Sequence, residues 1–275
     1  MSMKKTLKGL VAAAIVVAGA SSAKADLTVN GAVGLPLNPT AQIPAEGGIR
    51  VQGNYYDLGE SGAGNAKIYG LYGAGRAGDM LEINGGIEKF DGPKFSSELG
   101  SVDANRTSFA IGAKYLFTRE SDNPGVRIAA GVGYNDAQAK NLYAYVVGTK
   151  YFGELTGEKV PITGHLGLRY DRFDYNFISP DTFGSDLKSN KASIFAGVEV
   201  PIVRNGDVSF VGELQSKNTE FAGAKSPFSA SVRYRPQGQG FAASIGLQRG
   251  AAGFSDNSNL FVQLGYTFDT GRNGQ

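Results

Sequence analysis

One histidine, no cysteine and a recurring set of charged residues set into otherwise apolar stretches are the parts of this 275-residue chain whose types could do chemistry. His165 is the sole candidate for a histidine base. Nucleophilic catalysis pairs such a base with an activated serine or its equivalent. The ionisable residues near His165 in sequence are Arg169 and Asp171, which form no such pair, so His165 reads as a hydrogen-bonding side chain and no enzyme is expected. The lack of cysteine rules out thiolate metal sites and cysteine nucleophiles. Asp171, Asp174, Asp181 and Asp186 crowd one stretch, and oxygen-rich loops can bind calcium. Their spacing matches no ion-binding loop, and a solvated loop is the expectation. Gly131-Val132-Gly133 lacks the strand-to-helix setting of a nucleotide loop and reads as a site of curvature and close packing. No cofactor and no metal are expected. What remains are the charges themselves. The basic ones are Arg50, Lys67, Lys114, Arg127, Arg169, Lys191, Arg233 and Arg235, and the acidic ones Glu82, Glu88, Asp171, Glu199 and Glu213.

The setting of these charges is a two-residue repeat, clearest between residues 107 and 135. Phe109, Ile111, Ala113, Tyr115 and Phe117 alternate with Ser108, Ala110, Gly112 and Lys114. Ser121-Asp122-Asn123-Pro124-Gly125 breaks the run with turn chemistry. Val126, Ile128, Ala130, Val132 and Tyr134 then alternate with Arg127, Ala129, Gly131, Gly133 and Asn135. Strand side chains alternate with period two, so each strand has one apolar face and one small, polar or charged face.

The code recurs along the chain. Ile49, Val51 and Tyr55 oppose Arg50, Gln52 and Asn54, and Leu81, Ile83 and Ile87 oppose Glu82, Asn84 and Glu88. Residues 66–77 are apolar on both sides. In residues 142–151 the lysine at 150 sets Leu142, Ala144, Val146 and Lys150 as the inner face, with Tyr143, Tyr145, Val147 and Tyr151 outside. Leu166 and Leu168 oppose His165 and Arg169, Ile194 and Val198 oppose Lys191 and Glu199, and Phe210 and Leu214 oppose Glu213. Val232 and Tyr234 oppose Arg233 and Arg235, Ile245 opposes Ser244, and Leu264 and Tyr266 oppose Gln263. This makes about 12 strands by the pattern of transmembrane barrels. The connections support it. Those at 58–64, 91–105, 136–139, 172–187, 217–225 and 250–258 would face outward. The turns near 78 and at 119–124, 153–159, 203–206 and 236–240 would face the periplasm, and they are mostly shorter.

The first 25 residues read as a secretory signal peptide, with Lys4, Lys5 and Lys8, an apolar core over 10–20, and Ala23-Lys24-Ala25 as cleavage site. Cleavage after Ala25 removes four lysines and no acid, so the net charge of +2 becomes −2. A basic balance, and with it a nucleic-acid partner, is therefore not expected. Residues 26–47 hold Pro36, Pro39 and Pro44, which a central strand does not tolerate. They read as a periplasmic lead-in or as a plug folded into the barrel mouth. Residues 48–268 form the expected barrel, and 269–275 a periplasmic tail.

Through this pattern the chain resembles Gram-negative outer-membrane β-barrel proteins of the porin-like kind. The run Leu260 to Phe268 is similar to the barrel-ending signal read by the assembly machinery. The resemblance implies an all-β, antiparallel, up-and-down transmembrane barrel in the outer membrane, in contact with its lipid. The expected function is passive passage of small polar solutes. The lining would be Arg50, Glu82, Glu88, Lys114, Arg127, Arg169, Asp171, Lys191, Glu199, Glu213, Arg233 and Arg235. The basic excess would give a weak anion preference. Alternatives are a structural or adhesive barrel acting through its outer loops, and a barrel hydrolase.

Overall fold

The computed structural model describes residues 26–28, 30–44, 48–61, 64–92, 94–97, 100–103, 105–118, 125–136, 140–152, 162–174, 188–203, 206–217, 225–236, 239–249 and 258–269. Alternation of apolar with small or polar residues gives strands β1 Gly48–Ser61, β2 Gly64–Ala77, β3 Leu81–Asp91, β4 Lys94–Ser97, β5 Gly100–Asp103, β6 Arg106–Thr118 and β7 Val126–Asp136. They are followed by β8 Lys140–Tyr151, β9 Thr163–Asp174, β10 Lys188–Pro201, β11 Val208–Gln215, β12 Phe228–Tyr234, β13 Phe241–Arg249 and β14 Asn259–Asp269. Twelve of these close into one antiparallel barrel, in which β1 pairs with both β2 and β14. The seam runs from Gly48↔Asp269 to Tyr56↔Phe261 without a break. The barrel itself has no edge strand, which is what a sheet surrounded by lipid requires.

The remaining pair, β4 and β5, is a separate hairpin with Lys94 opposite Asp103. It lies in the connection 92–105, read from sequence as a plain outer loop. Four residues per strand are too few to carry a readable period. The long connections 92–105, 175–187 and 216–227 leave one end of the barrel, the outer end. The turn at Gly78, with φ of 66°, belongs to the other end.

The outward face is apolar. Ile83, Ile111, Val132, Leu166, Leu168, Ile194 and Ile245 are each more than half exposed. Aromatic pairs mark both rims of this belt. Tyr55–Tyr69 and Phe109–Tyr134 lie toward the outer end, at 5.4 and 5.6 Å between ring centroids. Tyr115–Phe117 and Tyr266–Phe268 lie toward the periplasmic end, at 5.2 and 4.9 Å.

Two strands differ from the sequence reading. In β8 the phase is inverted: Tyr143, Tyr145, Val147 and Thr149 are buried inside, while Leu142, Ala144 and Val146 face out. Lys150 misled the assignment because it sits near the periplasmic rim, where a lysine can reach the interface from the outer face; its ammonium lies 5.8 Å from the Phe152 ring. In β2, Tyr72 and Ala74 point inward and Tyr69 and Leu71 outward. Lys67 shares the outward phase, between Asp57 and Asp91 on the flanking strands, and so leaves the set of inner bases.

The inward tyrosines fit because the wall opposite them is glycine. Tyr143 pairs with Gly133 and Tyr145 with Gly131, and a Cβ on either glycine would collide with the ring across from it. Phe195 lies over Gly167 in the same way, and Tyr72 over Gly86.

Leu168, mid-strand on the lipid face, tests the orientation of the wall. We expect Leu168→Arg to cost roughly 2–4 kcal/mol, read as an earlier urea midpoint for the unfolding of the barrel in detergent or lipid. An unchanged midpoint would mean that this face meets water.

Candidate functional site

The lumen is the site, and its main occupant is the chain's own segment 26–44. The segment is made of two successive turns. Gly31, with φ of 86°, permits the first, closed by Thr28 N–H to the Ala32 carbonyl at 2.8 Å. Leu35 N–H donates to the Asn38 carbonyl at 2.9 Å to close the second. The prolines that bar this stretch from a central strand suit such turns. Every backbone-to-backbone hydrogen bond of the segment among the described residues is internal. Its bonds to the wall run through wall side chains.

Those bonds reach across the bore. On β1, the Gln52 amide accepts from Leu27 N–H at 3.0 Å and donates to the Leu27 carbonyl at 2.8 Å. On β3 and β6, Glu82 accepts from Val33 N–H at 3.0 Å while Lys114 donates to the Val33 carbonyl at 2.9 Å. On β11, Glu213 accepts from Leu37 N–H, Asn38 N–H and the Asn38 amide at 2.7–3.0 Å. On β8, Thr149 Oγ1 accepts from Ala41 N–H at 2.9 Å. On β7, Asn135 donates to the Asn30 side chain at 2.9 Å.

Apolar side chains of the segment use the inward aromatics as seats. Leu27 and Val33 pack with Tyr72, Ala74 and Ala110. Ala41 packs with Leu116, Ala129, Tyr143, Tyr145, Val147 and Phe195, and Ile43 and Met80 rest against that group. The sequence pattern puts Phe195 on the inner face with Lys191 and Glu199, leaves Tyr72 undecided and puts Tyr143 and Tyr145 on the lipid face. The readable signal was the inner glycines Gly131 and Gly133, small residues standing opposite large ones in the β7–β8 register.

The charges form ion-pair groups. At the periplasmic end Asp26 meets Arg50 at 2.7 Å and contacts Arg233 through Oδ2. Arg233 and Arg235 both bind Glu199, at 3.0 and 2.9 Å. Glu82 and Lys114 pair at 2.8 Å, both fully buried. Toward the outer end Arg169 holds Asp171 through Nε and Nη2 at 2.7–2.9 Å and lies 4.2 Å from the Tyr143 ring centre. Lys191 stands opposite Asp171 in the β9–β10 register, and its Nζ makes no hydrogen bond among the described residues. Glu88, half-buried, accepts from the Tyr72 hydroxyl at 2.6 Å. Arg127 and Arg235 share the inward phase and are half-buried. All twelve lining residues named from sequence therefore project inward. Asp26 was not among them, because nothing in its neighbourhood marks it as a lumen residue.

His165 is also inside, with Nδ1 at 2.9 Å from Thr149 Oγ1. The same oxygen accepts from Ala41 N–H, so one hydroxyl links the histidine to the segment. The histidine supports the segment's seat. Asp174 ends β9, and Asp181 and Asp186 lie outside the described residues. Among the described residues, no group of three His, Cys, Asp or Glu is placed to hold a metal.

No protein-family model matches the sequence, and no curated protein matches it. Solved structures do match in shape. A KdgM porin aligns over 80% of this chain and 99% of its own, with TM-score 0.51 and 11% identity. The KdgM porin in complex with disordered oligogalacturonate aligns over the same shares, with TM-score 0.50 and 12% identity. A NanC porin aligns over 80% and 98%, with TM-score 0.50 and 15% identity. The chain shares the closed-barrel fold of these structures.

The buried Glu82–Lys114 pair tests how the segment is held. Lys114→Met should cost about 3–5 kcal/mol by stranding the carboxylate. Adding Glu82→Gln should recover much of that loss, read from urea midpoints of the two variants. Equal costs for the single and double variants would exclude a coupled pair.

Proposed function

We propose that this protein is a porin-like passive channel of the outer membrane for small polar solutes, shut by its own segment 26–44. One observation carries the reading. The barrel closes through β1 and β14 without help from the segment, and among the described residues the segment is attached to the wall only through side chains. A segment of that kind can leave while the wall remains. Its departure would uncover Arg50, Arg233, Glu82, Lys114 and Glu213, a lining of both signs that water can wet. The Lys191 ammonium, the Tyr145 hydroxyl and His165 Nε2, buried without hydrogen-bond partners among the described residues, already favour water in the bore.

The segment also sets the charge balance. Of the eight bases named from sequence, seven face inward, against five acids. Asp26 brings the acids to six and sits on Arg50 and Arg233. With the segment out, those two guanidiniums face the bore, which favours small anions. A porin of this fold has been captured with oligogalacturonate, an acidic sugar chain, and a solute carrying carboxylates suits the same two arginines. We assign no catalytic role, because His165 is occupied with Thr149. In the same reading, 1–25 is the export signal, 269–275 a periplasmic tail and β14 the strand read during assembly.

Planar-bilayer recording decides it. The chain lacking 26–47 should conduct steadily and with a weak anion preference, and the chain that keeps the segment should conduct far less. Arg50→Gln with Arg233→Gln in the truncated chain should abolish the preference. Near-zero conductance of the truncated, correctly folded barrel would overturn the channel reading in favour of a sealed structural barrel acting through its loops.

A further inference from the structure

Among the described ion pairs inside the bore, Asp26 with Arg50 and Arg233 is the one whose acid lies on the segment; the others pair wall with wall. The two guanidiniums come from β1 and β12, with β13 and β14 between them in the barrel. The wall aims both of them. A Cβ on Gly265 would strike the Arg50 guanidinium, so glycine there gives it room to lie against the strand. Arg50 Nη1 donates to the Gly240 carbonyl at 2.9 Å and to Thr267 Oγ1 at 3.1 Å, which turns Nη2 toward Asp26. Arg233 Nη1 donates to Glu199 at 3.0 Å and leaves Nε to Asp26. The side chains of Arg50, Arg233 and Asp26 are 1%, 3% and 3% exposed. Arg50 Nε and Arg233 Nη2 have no hydrogen-bond partner, so the pair carries donors that one aspartate leaves unused. Two aimed guanidiniums with spare donors form a receptor for a carboxylate, and the segment's own carboxylate fills it.

We propose that Asp26 is an internal stand-in for the carboxylate of the solute, which competes for Arg50 and Arg233 and so holds the segment out of the bore. The inference rests on the reading of segment 26–44 as the part that shuts the bore. With the segment docked, both arginines are buried and filled, and a solute carboxylate has no place on them. With the segment away, both are bare. A ligand shifts an equilibrium by the difference in its affinity for the two states, and here the docked state offers it no site. The tether gives Asp26 a high effective concentration, so the bore is shut where carboxylate is scarce. A solute at ten times its Kd for the open state raises the open-to-closed ratio about elevenfold. A small carboxylate thus opens the route it takes, and an uncharged analogue of the same size does not.

The chain has no cysteine, so Thr40→Cys, at a fully buried position of the segment, supplies a single reporter. A quaternary-ammonium thiol reagent reaches it only when the segment leaves, whether or not ions flow. In the mature chain in detergent, succinate at constant ionic strength should speed labelling, by the factor just given once it stands at ten times its Kd. Succinamide should have no effect. Arg50→Gln with Arg233→Gln should label fast and respond to neither compound. The heat-modifiable gel shift of each variant reports that the barrel is formed. Indifference to succinate, an equal effect of succinamide, or a succinate response that survives loss of both arginines would each overturn the proposal. Where the double variant fails to fold, Asp26→Asn should label faster in plain buffer, since it strands both guanidiniums, and an unchanged rate would overturn the proposal as well. Succinate-driven labelling in a chain whose truncated form does not conduct would sink the channel reading and uphold the competition at the two arginines.

Discussion

Hydrocarbon offers a backbone N–H or carbonyl nothing to bond with, so a sheet in a membrane must leave no edge. In this chain that demand falls on one seam, the nine-pair register between β1 and β14. The strands between them are sequence neighbours that pair through local connections; β1 and β14 are separated by almost the whole chain. Once the seam closes, inside and outside are fixed for all twelve strands, because each side chain alternates from that reference. The apolar belt, the ion pairs and the docked segment all presuppose it.

Closing the ring creates a second problem. A twelve-strand bore lies between the barrels that side chains can fill and those that hold open water. Here the space is taken up in two ways. Inward tyrosines and a phenylalanine lie over wall glycines, which lets large rings occupy the bore without pushing strands apart. The segment 26–44 takes the remainder. The two devices are one, since Tyr72 seats Leu27 and Val33, and Tyr143, Tyr145 and Phe195 seat Ala41. A bore lined only with charges would give the apolar residues of the segment nowhere to go.

Most of this wall was legible from alternation, because a strand with one face in lipid has no freedom in its phase. The failures share a cause. Lys150 and Lys67 lie near the rims, where a long cationic side chain can stand on the outer face, so charge near a strand end does not mark the lumen. Tyr143 and Tyr145 are amphipathic and suit a rim or a wet interior equally well; only Gly131 and Gly133 across the strand pair decide between them. The segment was harder still. Its prolines exclude a strand, and no periodicity within it says which wall side chains it will meet. Glu82 and Glu213 were visible as inner acids. That their oxygens hold backbone N–H groups at residues 33, 37 and 38 depends on contacts up to 176 positions apart in sequence.

The chemistry of those contacts bears on how firmly the segment is held. Each wall-to-segment hydrogen bond replaces one that water would make in an open bore, so each contributes only about 0.5–1.5 kcal/mol. Ion pairs such as Asp26 with Arg50 and Arg233 likewise exchange solvation for attraction, and their net effect is small next to the cost of separating one partner alone. What water cannot replace is the burial of Leu27, Val33 and Leu35, each worth roughly 1.5–3 kcal/mol when fully covered. The docked state thus rests on a few apolar side chains set among polar ones. The polar contacts fix where the segment lies, and the apolar ones supply most of what holds it there. A lumen arranged this way would stay lined for water without the segment, since the charges behind it are paired across the wall, Glu82 with Lys114 and Glu199 with Arg233 and Arg235.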